Sequence, residues 1–228
     1  MIGGAKAFVR SAAWPLYNGE SVRGGEVFAM RFTVVTIART LGAGGDDIGS
    51  AIADELGFRY VDTEIIDRAA ALSGATPEEI ASAESRKGIL SRLLEQLGGA
   101  GSAVASGHAG KQGYEELIRE VIEETAAMDF VVIVAHGAGL ALAGKPNVLR
   151  VLVSASKATR VQRIVAASGV AESKAASEIE HSDDARVDFL RRFYGLEMEN
   201  ANTYDLVINT DALSVEEATR VVVGLVQG

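Results

Sequence analysis

The sequence predicts an α/β fold, a mostly parallel five-stranded sheet with helices on both faces. Three observations carry this. Apolar runs of strand length alternate with segments of helical period along most of the chain. The runs "FTVVTIA", "DFVVIVA" and "VLRVLVS" are apolar almost throughout rather than alternating, as strands buried on both faces are. The first of them breaks into a glycine-rich turn, "RTLGAGGDD", and a helix follows at once. In open parallel sheets that carboxyl edge is where ligands sit.

Taken in order, residues 1–30 have mixed composition and no sustained period, and read as an N-terminal extension, with Met30 a candidate natural start. Residues 32–38 are the first strand. Residues 46–57 form a helix: Ile48, Ile52 and Leu56 share one face, Ala51 widens it, and Gly57 stops it. A short second strand, "FRYVD", follows. Residues 63–74 and 76–98 are helical, the latter with Thr76 as N-cap and Pro77 at the first helical position. Residues 98–113 are mostly glycine, alanine and serine and bury little apolar surface, so a mobile loop is expected there. Helix resumes over 114–128, and strands fall at 129–135 and 148–154. Helices are expected at 157–168, 172–181 and 184–195, and a fifth strand at 204–210. The closing helix, 214–227, opens on a capping box of Ser214 and Glu217.

Composition narrows the function. No apolar run is long enough to span a membrane, and the first thirty residues lack the uninterrupted apolar stretch of a secretory signal. The absence of cysteine excludes disulfides and thiolate metal sites and fits a reducing compartment, so a cytoplasmic location is expected. A net charge of −9 makes the chain a poor general binder of nucleic acid, though gathered positive groups can still hold a small anion. A homo-oligomer is left open.

The turn at residues 42–47 is built to curl. Gly42, Gly44 and Gly45, with Ala43 among them, let successive N–H groups point inward, and the next helix adds its positive end. Phosphate loops ordinarily also carry a lysine and a magnesium-binding hydroxyl. Here Gly45 stands at the lysine position, and Asp46 and Asp47 follow it. The turn alone therefore admits two readings: an anion cup, or a tight strand-to-helix connection whose aspartates favour the helix start.

The wider chain favours the cup. "ARTLGAGGDDIGSAIADELG", "VDTEIID", "VIVAHGAGLALAGKPNVLRVLVSA" and "YDLVINTDALSVEEA" lie in order over residues 31–226 and resemble the cytidylate kinase-like family of P-loop proteins. That family's loop typically reads "SRxxGSGGxxIGxxLAxxLG", so a glycine at the lysine position is ordinary there. Two departures stand out. Asp46 replaces a usual arginine, and "AHG" replaces "GRG", which puts His136 where an arginine would touch the acceptor. A neutral imidazole offers one donor where guanidinium offers a fork and a permanent charge.

The resemblance implies a three-layer P-loop NTPase-like fold with a helical acceptor-binding insert at 62–113 and a lid at 160–186. It implies a nucleoside monophosphate kinase, using ATP and Mg2+ on a CMP-like acceptor, or a binding module that kept the fold and lost the chemistry. Residues 42–47 would cradle donor phosphates, with Asp47 the candidate magnesium contact. Arg68 and Arg119 would grip the acceptor monophosphate, and Arg160 and Arg163 would face the transferring phosphoryl group. Thr63, His136, Asp183 and Arg186 would contact the acceptor. Each has a plainer alternative. Arg68, Arg160 and Arg163 fit as solvated helix charges, and Arg119 as a partner of Glu115 or Glu123. Asp183 fits as a helix cap, and His136 as a packed, hydrogen-bonded histidine.

Overall fold

The computed structural model describes residues 20–23, 26–84, 111–197 and 199–228. Most of the extension, the far part of the 76–98 helix and residues 98–110 of the expected loop lie outside them. An antiparallel hairpin of β1 (Glu20–Arg23) and β2 (Glu26–Ala29) comes first, within the stretch read as aperiodic. Pairing across a two-residue connection needs no amphipathic period.

Five strands then form one parallel sheet. In chain order they are β3 (Val34–Arg39), β4 (Arg59–Val61), β5 (Val131–Val134), β6 (Val148–Ser154) and β7 (Leu206–Asn209). Their spatial order is β4-β5-β3-β6-β7, with Val34 opposite both Val131 and Val148. β3 is thus the centre, and the chain steps to opposite sides of it: the topological switch at which such sheets bind ligands.

Alternate residues of β3 feed two cores. Val35 and Ile37 pack with α1 (Gly45–Leu56) and the closing helix. Val34 packs on the other face with α2 (Glu64–Ser73), α3 (Pro77–Glu84) and α4 (Lys111–Ala126). The short α5 (Ala138–Ala141) lies on that face too. Helix α6 (Lys157–Ser168) starts at Ser156, whose side chain accepts from the Thr159 amide. The closing helix, α8 (Val215–Gln227), has the expected capping box, since Ser214 and Glu217 each bond the other's backbone amide.

Three boundaries differ from the sequence reading. Helix α4 begins at Lys111, inside the stretch expected to be loop. The four-residue α5 was not anticipated. The segments 172–181 and 184–195 are one helix, α7 (Glu172–Tyr194). Asp183 reads as a cap in sequence, but its carboxylate is drawn sideways to Arg160, so it leaves the helix backbone uninterrupted. Among the described residues no helix is long and apolar enough to cross a membrane.

Candidate functional site

The glycine turn owes its shape to what holds its carbonyls. Arg163 Nη1 lies 3.4 Å from the Gly42 carbonyl oxygen and 3.3 Å from that of Ala43. Thr210 Oγ1 donates to the Ala43 carbonyl at 2.8 Å, and Arg160 Nη1 reaches the Leu41 carbonyl at 3.4 Å. Arg163 is itself fixed by Thr210, donating to its Oγ1 at 2.8 Å and its carbonyl at 2.7 Å. A trans peptide points its C=O and the following N–H in opposite directions. Carbonyls gripped from the α6 side therefore turn the Gly42 and Gly44 amides toward the other edge. Gly44, at φ +81°, caps α1 without any side chain to offer, so the amides of Gly45, Asp46 and Asp47 go uncapped by a side chain. Converging main-chain donors at the positive end of a twelve-residue helix make an anion cup.

The two aspartates do not fill it. Asp46 turns to Arg39, whose Nε donates to Oδ1 at 2.5 Å. Asp47 is exposed on the first turn of α1. Gly45 is where it is because the stem of Arg39 runs beneath it: a Cβ there would lie 2.6 Å from the Arg39 Cβ. Among the described residues no three His, Cys, Asp or Glu side chains gather to hold a metal ion. Magnesium bound chiefly through phosphate and water needs only one or two carboxylates, and Asp47 offers one.

Beside the cup, at the ends of β4 and β5, Asp62 meets His136. The ring Nε2 is 3.1 Å from the Asp62 carbonyl oxygen and 3.5 Å from Oδ1. Both neighbours are acceptors, so Nε2 carries the proton. Hydrogen bonding from His136 holds the Asp62 carboxyl below its ordinary value, against the opposing effect of burial. Thr63 follows Asp62 with its side chain exposed and free of any capping bond. Tyr60 closes the same corner; burial, then the Asp62 charge, pushes its phenol up.

A chain of contacts leads from the residue after His136 to Arg119. Tyr194 donates to the Gly137 carbonyl at 3.2 Å, and the Arg119 guanidinium lies 5.6 Å from the Tyr194 ring centre. Arg68 is placed differently. Its Nη1 donates to Thr125 Oγ1 and its Nη2 to Glu124 Oε2, both at 2.8 Å, tying α2 to α4.

Arg160 and Asp183 form a two-pronged pair, at 2.9 and 2.7 Å, with the arginine side chain only 8% exposed. Arg186 instead binds Glu199, and the Tyr204 hydroxyl also donates to Glu199. Burial works against the charged Arg186, but the Glu199 carboxylate beside it raises its pKa nonetheless. Thus the structure gathers Arg160, Arg163 and Asp183 at the outer edge of the turn, and Thr63 and His136 at the neighbouring strand ends. Arg68 lies apart from both groups in bonds of its own, whereas Arg186, though bound to Glu199, lines a small cavity with Ala38 and with Ala135 and Gly137, the neighbours of His136. Sequence reasoning passed over Arg39 and Asp62. The available signal was positional: each is a charged residue closing an apolar run at the sheet's carboxyl edge.

Residues 34–212 match the family model described as Cytidylate kinase-like family. A curated relative, the cytidylate kinase of Ignicoccus hospitalis, is 24% identical over 184 residues, spanning 81% of this chain and 93% of that one. Among solved structures, an uncharacterized protein from Eubacterium ventriosum superposes with a TM-score of 0.62 at 17% identity, covering 85% of this chain and 97% of that one. That likeness concerns the fold.

Proposed function

Because the chain belongs to the cytidylate kinase-like family, we propose that it transfers the γ-phosphoryl group of ATP to a small nucleotide, with a CMP-like monophosphate as acceptor. The observation that carries this is the cup, a turn whose carbonyls are tied back so that its Gly42 and Gly44 amides face one edge. Residues 42–47 hold the donor phosphates through main-chain N–H groups. Asp47 would help to hold a magnesium ion, which would supply positive charge beside the transferring group. Thr63 and His136 meet the acceptor at the strand ends, with Arg119 behind them and Arg68 on its phosphate. Helices α6 and α7 act as the lid, where Arg160, Arg163, Asp183 and Arg186 lie. Phosphoryl transfer asks little covalent chemistry of a protein; it asks for alignment and for positive charge on the moving oxygens. A cytoplasmic site of action fits an ATP donor.

For this reading Arg68 must leave Glu124 when substrate binds. That exchange costs little, because the Glu124 side chain is 52% exposed and such pairs contribute about 0–1 kcal/mol. The test is a coupled assay with Mg–ATP across CMP, dCMP, UMP and AMP. Turnover led by a pyrimidine monophosphate is expected, and none with any acceptor overturns the proposal.

A specific observation favours a second reading, a nucleotide-binding module with weak or no catalysis. Arg68, Arg160, Arg163 and Arg186 all have protein partners in the structure. Tight Mg–ATP binding in calorimetry with no turnover would select it.

A further inference from the structure

The common phosphate loop, G-x-x-x-x-G-K-[ST], opens on a glycine and places its lysine after the second one. Laid on this chain with the second glycine at Gly44, the opening glycine falls on Arg39 and the lysine on Gly45. Cation and glycine have changed places. The structure shows why they do so together. A Cβ on Gly45 would lie 2.6 Å from the Cβ and 3.1 Å from the Cδ of Arg39, so only one of the two positions can carry a long side chain. We infer that Arg39 is the phosphate-binding cation of this loop, delivered from the end of β3 rather than from α1, and that Asp46 holds it until a polyphosphate takes over.

The geometry suits that task. Arg39 enters under the first turn of α1, beside the uncapped amides. Only its Nε is engaged, with Asp46; among the described residues neither Nη donates to protein. A guanidinium presents paired donors to phosphate, and the bond is charge-assisted. Asp46 competes weakly, since the two side chains are 29% and 55% exposed and exposed ion pairs contribute little. Once displaced, Asp46 stays at the helix start, where the dipole favours it. The aspartate at a position adjoining phosphate is then a reversible placeholder for the ligand's own charge.

This assignment rests on the nucleotide-binding reading above, and its test separates the two. Mg–ATP and inorganic tripolyphosphate are titrated calorimetrically into the full chain, into Arg39→Ala, into Asp46→Asn and into the exchange variant Arg39→Gly/Gly45→Lys. Folding of each is checked by circular dichroism. Arg39→Ala is expected to weaken both probes roughly ten- to hundredfold, the loss of one or two charged hydrogen bonds. It should also flatten the salt dependence. Asp46→Asn should tighten both about two- to fivefold, and the exchange variant should recover most of what Arg39→Ala loses. Undiminished binding by Arg39→Ala overturns the assignment and leaves the kinase reading standing. A folded exchange variant that binds no better than Arg39→Ala overturns the positional exchange. Failure of the unmodified chain to bind either probe removes both readings.

Discussion

Gly137 sits where a side chain has no room. Its φ is +67°, and a Cβ there would come within 2.7 Å of the Tyr194 ring. It ends a left-handed run with Ala135 at φ +68° and His136 at φ +55°, two residues that pay about 1–3 kcal/mol each for that backbone. The strain has a product: it turns the chain at the end of β5 so that His136 reaches Asp62. Gly137→Ala is therefore expected to lose about 1–3 kcal/mol of stability, read as a lower urea midpoint at unchanged slope; an unmoved midpoint contradicts the account. Arg163 offers a second test at this scale. It donates to two loop carbonyls and to Thr210. Arg163→Met keeps the stem and removes those donors, so it should cost about 1–3 kcal/mol and weaken Mg–ATP binding by loosening the turn. A stability loss with unchanged Mg–ATP affinity would show that these bonds do not shape the cup. Little of this was legible in "AHGAG" or "ATRVQRI". A glycine marks a permissive position, but a partner 57 residues away, as for Gly137 and Tyr194, or 120, as for Arg163 and Ala43, leaves no local trace.

Elements were more legible than contacts. The apolar runs gave up their strands because burial on both faces of a parallel sheet leaves few polar residues in them, such as Thr36 in β3 and Arg150 in β6. The Thr76 and Ser214 helix starts were readable because capping boxes are local, and the structure closes both. Helix α7 was misread for the opposite reason. Its aspartate answers to an arginine in α6, which no local pattern reveals. That pair locks α6 to α7 and lies against Leu41, so its strength bears on the lid proposed above. Removing Asp183 strands a charge on an arginine side chain that is 8% exposed. Full burial would make this cost about 3–5 kcal/mol, but Asp183 is 39% exposed, so about 2 kcal/mol is expected for Asp183→Ala. Arg160→Met should cost less, since Asp183 can then be solvated. In a double-mutant cycle the two should couple; simple additivity would mean that the pair does not hold the helices together.

Across the whole molecule, carboxylates act as long-range clamps. Asp205 receives Arg150 at 2.8 and 3.0 Å, joining β6 to the start of β7. Asp62, whose carboxylate Oδ1 lies 3.5 Å from His136 Nε2, joins the ends of β4 and β5, and Glu199 joins the segment after α7 to Arg186. Bonding to Arg150 lowers the Asp205 pKa, and bonding to His136 lowers that of Asp62. Burial pushes Glu199 up, but Arg186 outweighs it and the net shift is down. A carboxylate with a depressed folded-state pKa stabilises the fold above its unfolded value and loses that contribution as pH falls through the folded one. The unfolded values lie near 4. Net charge works the other way at first: the chain stands at −9 at neutral pH with a sequence pI near 4.9, so mild acidification relieves self-repulsion. The two effects predict a particular profile. Stability should hold level or rise slightly from pH 7 to about 5, then fall steeply below about 4 as the clamps protonate and the chain turns positive. Urea midpoints measured at fixed ionic strength test this. Neutralising Asp205 and Glu199 as Asn and Gln should lower the plateau and flatten the acid limb, because those contributions are then missing at every pH. A plateau that drops while the acid limb keeps its slope would place the acid sensitivity elsewhere in the fold.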